Sequence, residues 1–335
     1  MTTIDVHAHA IVPAALEEMR QAHPDHGPEL VEEQSRTYLR YPGRERLGPL
    51  PGAIFDPELR LADMDRQRVD LQVIAIPPPN FHYHVPAEVG RDFARIQNDH
   101  LLELSSAHPD RFHLFATLPL QDVDASLQEL ERVAAQPRVR GVQIGTNIDG
   151  VDLDDPRFRP LWEELAARDL PVWLHPDQRS IAGSDRLASY YLQNLIGNPL
   201  ESTIAMAKLI FGGVLQAYPE VRFGFVHGGG FTPYQIGRWD HGWGCRPEPK
   251  VAVTVTPPGV FLRGLFFDSL THDPLSLQLL GQRVGWEQVM LGSDYPFDMA
   301  SDDPVGEVEE VEMTPAERSA VLSGNAQRFL RRLEG

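Results

Sequence analysis

Near its start the chain reads IDVHAHAIVP, residues 4–13, in which two histidines stand one residue apart inside a short apolar run. Successive side chains of a β-strand point to opposite faces, so His7 and His9 are predicted to point to the same face. Two neutral imidazoles on one side of a strand can share a metal ion, and imidazole is a favoured ligand of zinc. The alternative is a pair of buried structural histidines, and this stretch alone leaves both interpretations open.

Seven further apolar, β-rich runs follow along the chain. The eight runs cover residues 4–8, 71–76, 112–117, 139–145, 171–175, 221–227, 265–269 and 288–294. Several are continuously apolar, which is typical of strands buried on both faces of a parallel sheet. Helix-like segments lie between them at residues 85–109, 122–137, 155–169 and 273–285. This alternation predicts an α/β fold, a (β/α)8 TIM barrel. A doubly wound open sheet is the structural alternative, but no Gly-rich phosphate loop follows the first strand.

Two segments do not fit the alternation, and we interpret them as insertions in a single barrel domain that comprises residues 1–335. Residues 20–56 are polar and rich in Gly, Pro and Arg, and residues 176–199 form the second insertion. Long loops at the strand ends of a barrel usually shape the substrate pocket. The acidic stretch at residues 301–312 is predicted to be a solvated surface loop.

Composition restricts the class of protein. The chain has 335 residues, 42% of them hydrophobic, and a formal net charge of −18. Such an acidic protein is a poor partner for nucleic acid or an anionic membrane, because phosphate binding needs clustered Lys and Arg. The single cysteine, Cys245, excludes an intramolecular disulfide and favours a reducing compartment. With no secretory signal at its start and no long apolar run, we expect a cytoplasmic protein.

Further ligand-type residues stand at the ends of other predicted strands. His175 ends the fifth strand in WLHPD, His227 ends the sixth in GFVHGGG, and Asp294 ends the eighth in MLGSDYPF. Catalytic residues of a TIM barrel come from the C-terminal ends of several strands, which meet on one face of the barrel. Chance is therefore a poor explanation for these residues together with the two histidines of the first strand.

This set of strand-end residues resembles that of the amidohydrolase superfamily. More narrowly, the motifs VHAHAIVP, GVQIGT, HGGG, HDPLSLQLL and LGSDYPF resemble its decarboxylase branch, the aminocarboxymuconate-semialdehyde decarboxylases. The likeness runs from about residue 4 to residue 330 and so covers nearly the whole chain. It implies a metal-dependent enzyme with a TIM-barrel fold.

Carried over residue by residue, the resemblance implies that His7, His9, His175 and Asp294 bind one zinc ion per chain, with another divalent metal as the alternative. It also implies that His227 and Asp294 handle protons during catalysis. Members with two metals use a carboxylated lysine at the end of the fourth strand. The corresponding GVQIGTN stretch has no lysine, so we expect a single metal.

The resemblance further implies a small carboxylate substrate and a homodimer. Arg238, in PYQIGRWDHGW, matches an arginine that the family's dimers supply to the neighbouring active site, and a guanidinium can donate two parallel hydrogen bonds to a carboxylate. Phe297 resembles a pocket-lining aromatic residue. Asp177 and Asn194 stand at or near places where the family has tryptophans. We expect the negative charge of Asp177 to disfavour a dianionic substrate.

The predicted function is zinc-dependent, non-oxidative decarboxylation of a small unsaturated or aromatic carboxylic acid. Two routes remain open, namely addition of water to a conjugated substrate and direct protonation of an aromatic carbon. A second substrate arginine of the family has no direct counterpart, because Arg44 and Arg46 lie upstream of its place. One alternative is metal-dependent hydrolysis of an amide or lactone, since the same site can activate water for attack on a carbonyl. The other is a non-catalytic binding barrel, which gives the strand-end residues no role.

Overall fold

Eight parallel strands form one sheet that curls into a barrel in the computed structural model, which describes residues 2–43, 46–253 and 255–331. Consecutive strands in the chain are neighbours in the sheet, as expected when each is followed by a helical crossover. Barrel strands one to eight are, in order, Ile4–His9, Leu71–Ala75, Phe112–Ala116, Val139–Gly145, Val172–His175, Phe223–Phe225, Phe266–Asp268 and Val289–Met290. The prediction of a (β/α)8 barrel is therefore confirmed.

Helices connect the strands and pack on the outside of the barrel. Several begin at an aspartate followed by proline or by an acidic first turn; Asp122 and Asp273, for example, accept hydrogen bonds from the first-turn N–H groups of Ala125 and Ser276. The α-helices are Pro13–Ala22, Pro57–Arg66, Ala87–Ala107, Val123–Ala134, Arg159–Ala167, Asn198–Phe211, Val214–Ala217, Thr232–Cys245, Pro258–Leu262, Pro274–Val284, Pro304–Glu309, Pro315–Ser319 and Asn325–Phe329. Among the described helices, none has the length and apolar character that crossing a membrane requires.

The first strand and the segment after the eighth strand meet at the seam of the barrel. The Asp294 N–H donates to the His7 carbonyl oxygen at 2.8 Å, and the His9 N–H donates to the Tyr295 carbonyl oxygen at 2.7 Å. These bonds hold the MLGSDYPF segment against the IDVHAH strand. As a result, a carboxylate from one end of the chain lies beside two imidazoles from the other.

Apolar side chains fill the barrel interior beneath the predicted site. Trp173, Phe115 and Phe329 are fully buried there, and the Trp173 ring centroid lies 6.0 Å from that of Phe115 and 5.7 Å from that of Phe329. The same indole lies 6.0 Å from the ring of His7. Well-packed aromatic groups therefore form a rigid floor on which the polar residues stand.

The two insertions contain more regular structure than the sequence indicates. The first holds a three-stranded antiparallel sheet, and the second holds short 3-10 turns and a π-helical turn that leads into the next helix. The sheet strands are Glu29–Glu33, Arg36–Arg40 and Leu47–Leu50, and the turns are Gln178–Ser180, Ser184–Arg186 and Gln193–Gly197. Arg44 lies outside the described residues.

The prediction of a solvated loop at residues 301–312 is wrong. This stretch contains the helix Pro304–Glu309, in which Val305 and Val308 are buried, and Val311 just after its end is buried as well. The acidic residues that dominate the composition occupy the other side. A spacing of three between the valines was the signal for a helix packed on the barrel.

Candidate metal centre and its cavity

Four side chains converge at the C-terminal ends of the barrel strands. His7 and His9 come from the first strand, His175 is the last residue of the fifth, and Asp294 follows the eighth. One nitrogen or oxygen ligand atom from each lies within 4.8 Å of those of the others, and all four residues are buried. The structure thus brings together the four residues that the sequence nominates as ligands.

Each of the three histidines is held at Nδ1 and turns Nε2 toward the others. His7 Nδ1 lies 2.7 Å from the Asp268 carboxylate, whereas His9 and His175 Nδ1 lie 3.2 and 2.9 Å from backbone carbonyl oxygens. An acceptor at Nδ1 keeps the proton there and leaves the lone pair of Nε2 available to a metal. The partners of Nδ1 therefore select the ligating tautomer.

The ligand atoms at the centre lack hydrogen bonds within the described part of the chain. The Nε2 atoms of His7, His9 and His175 and the Oδ1 of Asp294 are all buried without a hydrogen bond of acceptable geometry. Such atoms are costly in a protein interior unless something satisfies them. A divalent cation would satisfy all four at once, and three imidazoles with one carboxylate are a suitable donor set.

The electrostatics of the cluster also favour a cation. Burial lowers the pKa of His9, and burial together with the neighbouring imidazoles lowers the pKa of His175 well below its ordinary value. Although burial opposes its protonation, the carboxylates of Asp294 and Asp268 raise the pKa of His7 to about 10. Despite burial, the surrounding histidines hold the pKa of Asp294 well below its usual range. The imidazoles of His9 and His175 are therefore held neutral, and the carboxylate of Asp294 beside them is held ionised.

His227 lies next to this cluster and is not one of its four members. Its ring centroid is 5.3 Å from that of His175, and its Nε2 lies 3.6 Å from Asp294 Oδ2. The two oxygens of Asp294 thus face different groups, because Oδ1 lies 3.2 and 3.0 Å from the Nε2 atoms of His7 and His9. The His227 side chain is 17% exposed, so its imidazole can exchange protons with a ligand.

The backbone after the sixth strand is held in an uncommon conformation. His227 has a φ of +55°, and each glycine of the HGGG motif also has a positive φ. This region is unfavourable for a residue with a side chain, and such residues cluster at functional sites. The Asp268 carboxylate stabilises the turn by accepting the N–H groups of His227 and Gly228 at 2.9 and 2.7 Å.

Asp268 is a site residue that the sequence analysis missed. It is fully buried at the end of barrel strand seven, where it binds both the His7 imidazole and the backbone of His227. The sequence did carry a signal for its role in the site. Asp268 stands near the end of the predicted strand LFFDS, and the other site residues also stand at predicted strand ends. A lone acid in a short strand carries no spacing pattern that reveals such contacts.

A cavity opens beside the cluster, with His175 and Asp294 in its wall. Both insertions contribute to it, Leu47 from the first and Asn194 from the second. Phe297 also lines the cavity, and its ring lies 5.4 Å from that of His9. Asn194 and Phe297 therefore lie where a bound ligand could contact them.

The structure gives Asp177 a charged partner. Asp177 is 6% exposed and lines a neighbouring outer cavity, which shares Leu47, Pro79 and Gln178 with the cavity beside the cluster. The Arg179 Nε lies 3.0 Å from its Oδ2 and pairs with its charge. A tight turn after the fifth strand brings these two residues together. Within this turn Asp177 also accepts a hydrogen bond from the Arg179 backbone N–H. The negative charge of Asp177 is therefore paired within its own turn.

Of the predicted substrate contacts, Arg238 lies outside the cavity wall, and so does Arg46, which the sequence already placed upstream of the family's arginine. Arg238 is exposed on the helix Thr232–Cys245, and it does not line the cavity of its own chain. Arg46 packs over the Tyr38 ring and pairs with Glu33. Neither arginine reaches the cluster within the protomer.

Comparison with known proteins places these observations in a family. The sequence profile described as amidohydrolase matches residues 4–332. The chain is 36% identical over 277 residues to the 2-amino-3-carboxymuconate-6-semialdehyde decarboxylase of Dictyostelium discoideum, and the match covers 82% of this chain and 77% of that relative.

Solved structures show the same architecture. IDCase from Metarhizium anisopliae superposes with a TM-score of 0.85 at 24% identity, over 98% of this chain and 96% of that one. A dihydroxybenzoic acid decarboxylase from Polaromonas, solved with bound manganese and 2-nitroresorcinol, superposes with a TM-score of 0.80 at 20% identity, again over 98% and 96% of the two chains. At these identities the likeness shows a shared fold.

Proposed function

Because the chain belongs to the amidohydrolase family, we propose that it is a metal-dependent, non-oxidative decarboxylase of a small unsaturated or aromatic carboxylic acid. The observation that carries this proposal is the buried cluster of His7, His9, His175 and Asp294 in the wall of a cavity. The Dictyostelium and Polaromonas proteins are both named as decarboxylases, which favours this reaction over hydrolysis of an amide or lactone.

The metal of the proposal is one zinc ion per chain. Three imidazoles and a carboxylate are ligand types that zinc accepts, although the Polaromonas protein holds manganese. The end of barrel strand four, Val139–Gly145, contains no lysine that could be carboxylated to bridge a second metal. When bound, the metal supplies a Lewis acid that polarises oxygen atoms of the ligand and offsets their negative charge.

In this proposal His227 transfers the proton and Asp294 assists it. As the bond from the substrate to its carboxyl carbon breaks, carbon dioxide leaves and the electron pair stays on the substrate carbon. His227 delivers a proton to that carbon, and no oxidant or reductant is needed. Asp294 Oδ2, 3.6 Å from His227 Nε2, stabilises the protonated imidazole before transfer.

Substrate contacts come from the cavity wall and from a second subunit. Phe297 and Asn194 contact the substrate from within the chain, whereas Arg238 reaches the site of the partner in a homodimer. Phe231, Tyr234 and Arg238 follow a helical spacing of three and four and are all exposed. Exposed aromatic side chains mark interaction surfaces. Arg238 forms no ion pair or hydrogen bond with any described residue, which leaves its guanidinium available to a neighbouring site.

We also propose that the whole chain is one domain and that the enzyme works in the cytoplasm. Residues 20–56 and 176–199 both supply side chains to the cavity, which supports their role as pocket-forming insertions of a single barrel. The lone Cys245 is exposed and has no disulfide partner, as expected for a protein of a reducing compartment.

A substrate screen tests the function. Purified enzyme, chelator-treated enzyme and enzyme reloaded with zinc or manganese are incubated with small unsaturated and aromatic carboxylic acids. We expect carbon dioxide release and a product in which hydrogen replaces the carboxyl group, with activity lost on chelation and restored by metal. Hydrolysis of amides or lactones without carbon dioxide release, or full activity without metal, contradicts the proposal.

A further inference from the structure

The wall of the cavity beside the metal centre carries mainly negative charge. Two carboxylates stand in its wall, Asp294 of the cluster and Asp298 four residues later, and no lysine or arginine lies among its described lining residues. Asp298 is exposed to the cavity, and the hydroxyl of Tyr191 lies 3.5 Å from its Oδ1. An ionised carboxylate can only accept hydrogen bonds, so Asp298 requires a donor from any ligand that contacts it.

A buried amide lines the same cavity. Asn198, at the start of the helix Asn198–Phe211, is 6% exposed, and its Oδ1 is buried without a hydrogen bond to any residue in the described ranges. Buried polar atoms of proteins are almost always paired, with ordered water or with a ligand where the protein supplies no partner. Asn198 is an independent sign that the cavity wall is built to receive a donor.

Apart from His175, Gln178, Tyr191 and Asn194, the rest of the wall is apolar. Phe297, Met299, Pro78, Pro79 and Pro176 line the cavity together with Leu47. Such side chains bind the faces of a flat, unsaturated ligand and offer no compensation for a second negative charge. The charge of Asp177 has no part in this selection, because Arg179 already pairs with it.

We propose that Asn198 and Asp298 form a subsite that binds a hydroxyl or amino substituent of the substrate and rejects a second carboxylate. The preferred substrate is then a flat monocarboxylic acid with a hydrogen-bond donor, rather than a diacid. This inference rests on the proposed function, because it assumes that the carboxylate of the substrate is the group that lies at the metal centre.

Both kinds of discrimination have a physical basis. A buried acceptor that is matched by a hydroxyl is left unpaired when the ligand carries a methyl ether, and sites of this kind reject the analogue that lacks the donor. A second carboxylate near Asp298 experiences like-charge repulsion, and no cation from the described wall offsets it. The Arg238 proposed to enter from the partner does not offset it either, because that guanidinium is engaged by the reacting carboxylate. Only Asp298 carries the repulsion, so the two effects can be separated by mutation.

Three matched sets of probes test the subsite: 3- and 4-hydroxybenzoate, the corresponding methoxybenzoates, and benzene-1,3- and benzene-1,4-dicarboxylate. Their binding to the metal-loaded enzyme is measured by calorimetry, and carbon dioxide release is measured in parallel. The variants are Asn198→Leu, which keeps the volume but removes the amide, and Asp298→Asn, which removes the charge. Asp302→Asn is the matched control, since Asp302 is exposed on the same segment and does not line the cavity.

We expect the wild-type enzyme to bind at least one hydroxybenzoate about 10-fold more tightly than its methyl ether, and Asn198→Leu to abolish most of that preference. Asp298→Asn should improve binding of a diacid relative to the hydroxybenzoate by about 10-fold. Asp302→Asn should change neither ratio. Equal wild-type binding of diacid and hydroxy acid, or unchanged ratios in both variants, overturns the proposal.

Two further readouts keep the test decisive. If Asn198→Leu does not fold, as judged by thermal unfolding, Asn198→Asp retains acceptor oxygens at this place and should retain the preference for the donor; loss of that preference counts against the subsite. Selective binding without carbon dioxide release from any acid of the wider substrate screen supports the subsite and contradicts the decarboxylase. Carbon dioxide release without the predicted selectivity supports the decarboxylase and contradicts the subsite.

Discussion

The carboxylate of Asp268 lies 2.7 Å from Nδ1 of His7, and the same carboxylate accepts the backbone N–H groups of His227 and Gly228. One buried side chain on barrel strand seven thereby orients a proposed metal ligand on strand one and a proposed proton donor after strand six. The position of His227 relative to the cluster depends on this carboxylate as well as on its own strand.

Replacing Asp268 with asparagine should therefore impair two functions at once. Both oxygens of the Asp268 carboxylate accept hydrogen bonds. An asparagine amide has only one acceptor oxygen, and its NH₂ group would face an N–H group that also needs an acceptor. We expect Asp268→Asn to lose about 10- to 100-fold in metal affinity or turnover. Metal analysis and steady-state kinetics measure both. Asp273→Asn is the control, because that exposed residue caps the next helix and asparagine is an equally good cap. Wild-type metal affinity and kcat in Asp268→Asn contradict this role.

His175 and His227 lie close together but should respond differently to removal. His175→Ala should lose most of the bound metal and the activity with it, since its Nε2 is one of the four converging donor atoms. His227→Ala should keep the metal and lose turnover by about 100-fold or more, because only proton transfer is removed. Loss of metal from His227→Ala identifies it as a ligand, and retention of metal by His175→Ala removes it from the ligand set.

Asp177 should prove to be a structural residue. The Asp177–Arg179 pair is almost fully buried, so Asp177→Ala leaves an uncompensated charge and should reduce the free energy of unfolding by about 3–5 kcal/mol. The relative preference for monoacids over diacids should stay unchanged, because the residue does not line the metal cavity. Chemical denaturation and the substrate panel give the two readouts. A shift toward diacids in Asp177→Ala indicates that its charge reaches the substrate.

The sequence predicted the barrel and the converging ligands because both depend on regular patterns. Continuous apolar runs identify strands, and parallel strands bring their C-terminal ends to one face, so His175 and Asp294 could be placed beside His7 without knowledge of any contact. Irregular segments follow no such rule. The pairing of Asp177 with Arg179 depends on the turn after His175, and the three-stranded sheet in residues 20–56 depends on pairing between short polar strands. Asp268 was missed because its partners come from other strands.

The proposed homodimer is tested by Arg238. In that assembly the guanidinium binds the carboxylate of a substrate in the neighbouring site, and removal of one bidentate charged contact should cost about 2–5 kcal/mol of transition-state stabilisation. Arg238→Ala and His227→Ala should each be nearly inactive alone. Mixing them should restore activity, because one of the two sites in a hybrid dimer contains both intact residues. Subunit exchange is followed independently with labelled chains, and a mixture of His227→Ala with His175→Ala is the control, since both changes lie within one chain's own cluster and their hybrid regains no complete site. Exchange without recovery in the Arg238 mixture shows that the arginine acts in its own subunit or has no part in the site.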